Sequence, residues 1–349
     1  MGPRKKGFPF APPAAITALV IETRLDVLAI GDAIVDVIAN STDAFLEAEG
    51  LVKGSMQVLD ADGATRLYAR MGNAREVSGG SAANTMAGVA ALGGRAGFVG
   101  QVADDQLGEI FAHDIRAHGV EFETPPLKEG LPTGRCLILV TPDAQRTMNT
   151  FRGAAHELTA NALDPDQIRG AAILYLEAYL WRSAGPRAAM EQAMAIAHQA
   201  GRKVAFTLSD IACIAPHRAE MMAMIDSGMI DLLFANENEI RELADLPDHN
   251  TAVESIRVKV PRLVVTCGAQ GALAVEQGRR VSVPVARIGK EVVDTTGAGD
   301  LFAAGFLVGQ ARGRSLEDSL RMGSIAAAEV ISHIGARPES DLKALMETL

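Results

Sequence analysis

The sequence predicts an α/β fold: a mainly parallel central sheet covered by helices on both faces, with a small separate β layer. Three observations carry this. From Ala172 onward, short apolar runs alternate with helical segments, the pattern of a sheet buried on both sides. Two glycine-rich turns, around Gly79 and around Gly297, each lead into a helix of small residues. Between them, Cys136–Thr141 and Arg146–Phe151 flank the turn Pro142-Asp-Ala, which predicts a β-hairpin outside the main alternation.

Taken in order, Asp26–Gly31 is a short apolar run ending in glycine, a buried strand with a turn after it. Asp36 follows inside the apolar segment Ala33–Ile38, and Asp43 to Glu49 carries a helical stripe. Ser78-Gly-Gly-Ser-Ala-Ala-Asn-Thr85 turns into the small-residue helix that ends at Gly93-Gly94. Arg95–Gly100 is a strand. Asp105 opens a helix that stops at Gly119. Strands then fall at Ala172–Ala178, Lys203–Leu208, Asp231–Asn236 and Arg262–Gly268, with helices at Arg187–Gln199, Arg218–Asp226 and Glu237–Ala244. Leu273–Glu276 and Arg280–Pro284 form a hairpin, and helices at 297–312, 316–331 and about 340–349 close the chain. The domain therefore spans 25–349, with the β layer drawn from about 38–58 and 120–150. Residues 1–24, with Arg4-Lys5-Lys6 and then Pro9, Pro12 and Pro13, read as a disordered extension rather than a signal peptide.

Composition limits the function. A net charge of -10 argues against general nucleic-acid or membrane-surface binding, which favours basic patches. No apolar run approaches a membrane span. Cys136, Cys213 and Cys267 are widely spaced, each in or beside an apolar run. They fit buried free thiols in a reducing cytoplasm, not a disulfide framework or a paired metal motif.

The chemistry concentrates in Asp294-Thr-Thr-Gly-Ala-Gly-Asp300. Gly297 and Gly299 allow close backbone approach at the start of a helix, where unpaired N–H groups and the helix dipole form an anion cradle. Asp300 sits inside that cradle, where a carboxylate would repel a phosphate. It is either a good first-turn helix residue or a base that removes a proton from a hydroxyl attacking a phosphoryl group. Asp36 is either a ligand for substrate hydroxyls or a solvent-facing residue on an edge strand. Ser81 caps its helix or shares a polar face with Asn84. Ligands of parallel α/β sheets bind beyond the carboxyl ends of the strands. The turns carrying Asp36, Gly79–Asn84, Asn236, Thr266–Gly268 and Asp300 are placed to converge there. No Gly-x-Gly-x-x-Gly follows the first strand, which speaks against an NAD-binding oxidoreductase.

Four motifs in this order resemble the ribokinase-like (PfkB) family of carbohydrate and nucleoside kinases. They are Gly79-Gly-Ser-Ala-Ala-Asn84 with Gly93-Gly94, Asn236-Glu-Asn-Glu239, Thr266-Cys-Gly268 and Asp294–Asp300. The resemblance implies a three-layer α/β/α sandwich with a β lid, and transfer of the γ-phosphate of ATP to a primary hydroxyl. It implies Asp300 as base, and an anion hole built from the N–H groups of Ala298, Gly299 and Asp300 after the turn at Gly297. Asp32, Asp36, Gly79, Gly80, Ser81 and Asn84 would bind the acceptor. Thr266, Gly268, Thr296, Gly297 and Gly299 would contact the nucleotide. Asn236 and Glu239 would organise Mg²⁺ and its waters, Asp294 a monovalent cation such as K⁺. Arg146 resembles a basic residue that approaches the phosphates. Family members are monomers or lid-paired homodimers.

Gly31-Asp-Ala-Ile-Val-Asp36, Arg146-Thr-Met-Asn-Thr-Phe151 and Leu208-Ser-Asp210 are similar to bacterial adenosine-kinase-like members, which implies adenosine as acceptor. Asp32 departs from the asparagine common there. Phe151 either stacks on a purine or is a core aromatic of the lid. The alternatives are a kinase of a free sugar such as ribose or fructose, and an inactive nucleotide-binding regulator, against which the intact Asp300 argues.

Overall fold

The computed structural model describes residues 23–143 and 145–347. The expected N-terminal extension lies almost wholly outside them. Fourteen strands are formed among the described residues: β1 (Leu25–Ile30), β2 (Ile34–Asn40), β3 (Met56–Val58), β4 (Ala74–Gly79), β5 (Ala96–Val99), β6 (Val120–Phe122), β7 (Gly134–Val140), β8 (Arg146–Phe151), β9 (Ala171–Glu177), β10 (Lys203–Thr207), β11 (Leu232–Asn236), β12 (Arg262–Thr266), β13 (Ala272–Glu276) and β14 (Arg279–Val283). Nine make one sheet in the order β14-β13-β12-β11-β10-β9-β1-β5-β6. It is parallel from β6 to β12 and ends in the antiparallel hairpin β13–β14.

Successive residues of β1 show how the layers form. Val27 and Ala29 pack into one core with the helices Ser81–Ala91, Ala298–Ala311 and Leu316–Val330. Leu28 and Ile30 point the other way, into a second core with the helices Ala184–Gln199, Arg218–Asp226 and His249–Arg257. Because strand side chains alternate, a run apolar at every position must be covered on both faces. The result is the three-layer sandwich that the sequence predicts.

The other five strands form a second sheet, β3-β8-β7-β2-β4. Its content corrects the expected boundaries of the β layer. Val120–Phe122 is the outer strand of the large sheet, where Phe122 packs on Phe98 and Phe111. Ala74–Gly79 belongs to the second sheet, paired with β2. Its sequence, Ala-Arg-Glu-Val-Ser-Gly, lacks the apolar alternation that marks a strand. β2 starts at Ile34, only three residues after β1, and lies between β7 and β4. Asp36 is therefore in the middle of an interior strand, not on an edge. The links Gly31–Ala33, Gly80 and Arg152 carry the chain between the second sheet and the main domain next to the cavity described below.

Besides the short helices Pro165–Arg169 and Ile211–Ile214, two longer ones escape the sequence reading, Ala61–Arg70 and His249–Arg257. Each begins at a capping aspartate: Asp60 accepts from the Gly63 N–H and Asp248 from the Thr251 N–H. Two further helices cross with almost no separation. A methyl group at Gly305 would overlap the Met322 backbone, and one at Gly309 would overlap Ser319, so glycine permits Ala298–Ala311 to lie against Leu316–Val330.

Candidate active site

A cavity of about 490 Å³ opens where the second sheet faces the carboxyl ends of the parallel strands. Its lining brings together Asp32, Asp36, Gly80, Ser81, Asn84, Asn236, Glu239, Thr266, Thr296, Gly297, Ala298, Gly299 and Asp300. These residues span more than two hundred positions of sequence, and the sheet topology alone makes them neighbours.

At its floor two helix N-termini meet. Gly297 takes φ 78° and starts the helix Ala298–Ala311; a side chain there would press on Ala336. The Ala298 N–H bonds the Thr295 carbonyl at 3.2 Å. That narrows the predicted anion hole to Gly299 and Asp300, whose N–H groups have no backbone acceptor among the described residues. Around Gly299 there is open space. Asp300 accepts from Ser81 Oγ at 2.6 Å and from Asn84 Nδ2 at 3.0 Å. Burial holds its carboxyl above the usual carboxylate range, while these two donors and the Arg337 charge pull the other way. Ser81 thus serves Asp300 and does not cap its own helix.

The wall next to it is made by Asp36 and Gly80. Burial raises Asp36 to about 6, opposed by the charges of Arg337 and Arg146. Gly79 does not line the cavity; it makes room, because a methyl group there would collide with the Asp36 carboxylate. Gly80 takes φ 96°, and a side chain there would collide with the Asp32 carbonyl oxygen, so no other residue fits. Beneath both lies Glu177, fully buried, which sequence reading does not single out. It accepts from the Asp32 N–H at 2.6 Å and the Ala82 N–H at 2.7 Å, and burial raises its pKa well above the ordinary value. One carboxylate thereby fixes the β1–β2 link against the start of the helix Ser81–Ala91.

On the opposite side Asn236 and Glu239 form a capping box. Asn236 Oδ1 accepts from the Glu239 N–H at 2.9 Å, and Glu239 Oε2 from the Asn236 N–H at 2.9 Å. Asn236 Nδ2 donates to Glu239 Oε1 at 2.6 Å. Burial pushes Glu239 up to about 7. A buried carboxylate near that value, with its oxygens tied to one asparagine, suits contact with hydrated Mg²⁺, whose charge favours the ionised form. Thr266 pairs with Asn236 across β11 and β12.

Arg146, Asp294, Phe151 and Gly268 stand outside the lining. Arg146 reaches from β8 to the loop before the helix Ala298–Ala311, within 2.8 Å of Asp294 Oδ2 and bonding Thr296 Oγ1 at 3.1 Å. Asp294 also accepts from the Thr296 N–H at 3.1 Å, Thr296 Oγ1 at 2.7 Å and the Gly335 N–H at 3.0 Å. Burial works against its charge, yet these donors and Arg146 hold it below its ordinary pKa. Its charge is therefore already met within the protein. Phe151 is buried under the Arg135 guanidinium, 5.9 Å from the ring, and so takes the core role of its two readings. Gly268 has φ 50° in an open turn.

The cavity also gathers Arg152, Arg182 and Tyr179, which no motif singles out, and Ser209 of the Leu208-Ser-Asp210 stretch. Ser209 is also one of three non-glycine residues with positive φ among the described residues. Arg337 is a further omission. It donates to the carbonyls of Ala83 and Ser78 at 2.7 Å each, and its charge acts on both Asp36 and Asp300.

The sequence matches the description "pfkB family carbohydrate kinase" over residues 24–343. The chain belongs to the PfkB family. It is a kinase, and kinases of this family use ATP and Mg²⁺. The fold resembles that of an adenosine kinase from Sinorhizobium meliloti, with 47% identity, a TM-score of 0.86, and coverage of 93% of this chain and 99% of that one. A probable sugar kinase from Rhizobium etli gives 45% identity and a TM-score of 0.87, covering 93% and 98%. The 5-dehydro-2-deoxygluconokinase of Shouchella clausii is 30% identical over 282 residues, 77% of this chain and 86% of its own length. Among the described residues no helix is long and apolar enough to cross a membrane, and the three cysteines are buried and free.

Proposed function

We propose that this PfkB kinase transfers the γ-phosphate of ATP to the 5′-hydroxyl of adenosine, giving AMP and ADP. The carrying observation is that one cavity has two kinds of wall. Asp32, Asp36, Asn84 and Asp300 give a polar end suited to ribose hydroxyls, while Ile34, Met56, Val58, Ile138 and Met148 give an apolar wall from the second sheet. A nucleoside covers both, whereas a free sugar leaves the apolar wall bare, without the burial of roughly 25 cal/mol per Å² that a flat base supplies. The likeness to the Sinorhizobium adenosine kinase supports the same reading.

In this reading Asp36 and Asn84 orient the ribose so that its 5′-oxygen points at Asp300. Asp300 takes the hydroxyl proton as that oxygen bonds to the γ-phosphorus. The bond from phosphorus to the bridging oxygen of ADP breaks, and the proton remains on Asp300. The N–H groups of Gly299 and Asp300 receive the negative charge of the transferring group. A carboxyl raised by burial is better matched to this proton than an exposed one. Mg²⁺, when bound, neutralises phosphate charge; Asn236 and Glu239 would hold its waters. The second sheet closes over the acceptor and keeps water from taking the phosphoryl group.

The test is ATP consumption by the purified protein with adenosine, inosine, ribose or fructose. Adenosine is expected to support the highest kcat/KM. Turnover with a free sugar alone would replace the adenosine assignment.

A further inference from the structure

A second cluster of ligating side chains includes the residues that directly follow Asn236 and Thr266 of the cavity lining. Glu237 opens the helix Glu237–Ala244, His249 opens the helix His249–Arg257, and Cys267 follows β12. One ligand atom from each lies within 4.8 Å of the others. Among the described residues it is the one such group of three or more. Cys267 is a buried free thiol, its Sγ making only a weak 3.8 Å contact with the Val265 carbonyl. His249 Nδ1 is sealed from solvent with no hydrogen-bond partner, a cost that a folded protein ordinarily avoids.

We propose that Glu237, His249 and Cys267 form a binding site for Zn²⁺, separate from the Mg²⁺ of phosphoryl transfer. Thiolate, imidazole and carboxylate together are a borderline-soft donor set that suits Zn²⁺, whereas Mg²⁺ prefers oxygen donors in an octahedron. Zinc bonds of about 2.0–2.3 Å place tetrahedral donors roughly 3.5 Å apart, so donors already within 4.8 Å of one another need close by little more than about an ångström at most. Three protein ligands leave a fourth position for water. The ion would tie the residue after Asn236 to the residue after Thr266. The consequence for catalysis rests on the nucleotide role proposed for those two turns, and it is read as a change in the KM for ATP with that for adenosine unaltered. Metal binding itself does not depend on that role.

The full-length protein, stripped with chelator, is dialysed against Zn²⁺ in the presence of excess Mg²⁺. One equivalent of Zn²⁺ per chain is expected. Co²⁺ in its place should give a sulfur-to-metal charge-transfer band. Cys267→Ser and His249→Gln should each weaken Zn²⁺ binding at least ~100-fold, since loss of even an outer-shell partner costs 10–100-fold, and Cys267→Ser should abolish the band. Cys213→Ser should change neither. Circular dichroism identifies any variant that fails to fold, and the His249→Gln result then stands by itself. Absence of stoichiometric Zn²⁺ in the native protein, or its retention in the folded variants, would overturn the site.

Discussion

Asp300 receives both of its hydrogen bonds from one helix start, Ser81 and Asn84, and faces a second carboxylate, Asp36, across the same floor. Arg337, buried behind them, moderates both charges. Its pKa is itself drawn down to about 10, mainly by burial, although Asp114, Asp36 and Asp300 favour its charge. This arrangement fixes a pH dependence. In the proposed reaction Asp36 accepts from sugar hydroxyls, and so works as the ionised form. Its pKa of about 6 means that protonation begins well above the ordinary carboxylate range. The acid limb of kcat/KM is therefore expected near pH 6, with activity falling as pH drops through it. A limb near pH 4 in a pH–rate profile would contradict the burial argument. The motifs made Asp300, Asn84 and Gly80 legible from sequence, because short-range spacing defines them. Glu177 and Arg337 were not legible: a carboxylate at a strand end and an arginine in a C-terminal loop look ordinary until the fold brings distant backbone to them.

At the scale of elements, glycine sets how closely the pieces approach. Gly80→Ala demands both a left-handed φ and overlap with the Asp32 carbonyl. It is expected to cost folding stability and to raise the KM for the acceptor, as acceptor-titration kinetics would show. Gly305→Ala tests packing away from the site. Its methyl group would meet the Met322 backbone, which cannot rotate away, so the helices must part at a cost of about 1–3 kcal/mol. Urea unfolding measures this; an unchanged midpoint would mean that the helix pair tolerates separation. Most strands and helices were legible because their apolar periodicity is strong. Ala74–Gly79 was not, since it is defined by pairing with β2 and not by its own pattern. The helix at His249 was announced by Asp248, a cap that is read only once a helix is suspected.

At the scale of the molecule, Arg146 joins the second sheet to the main domain. It bridges β8 to Asp294 and Thr296 on the loop that leads into the anion cradle. The sequence pointed to Arg146 as a cation near phosphate; its partner lies about 150 residues away, and no local pattern discloses that. Two contacts from one guanidinium fix the second sheet over the cavity more firmly than a lysine would. Arg146→Lys is accordingly expected to raise the KM for adenosine about tenfold, equivalent to about 1.4 kcal/mol, with folding stability little changed. Steady-state kinetics with adenosine varied at saturating ATP provide the check, and an unaltered KM would show that the second sheet is positioned by other contacts.

The central claim is that Asp300 removes the proton from the attacking hydroxyl while the adjacent N–H groups hold the transferring phosphoryl group. Asp300→Asn preserves the side-chain shape while removing the base, with its charge and one of the two oxygens that accept from Ser81 and Asn84. Turnover of this variant with ATP and adenosine, alongside ATP affinity by calorimetry, separates the two roles. The account predicts a fall in kcat of roughly 10²–10⁴-fold or more with ATP affinity nearly intact. A variant that turns over at close to the native rate would contradict it.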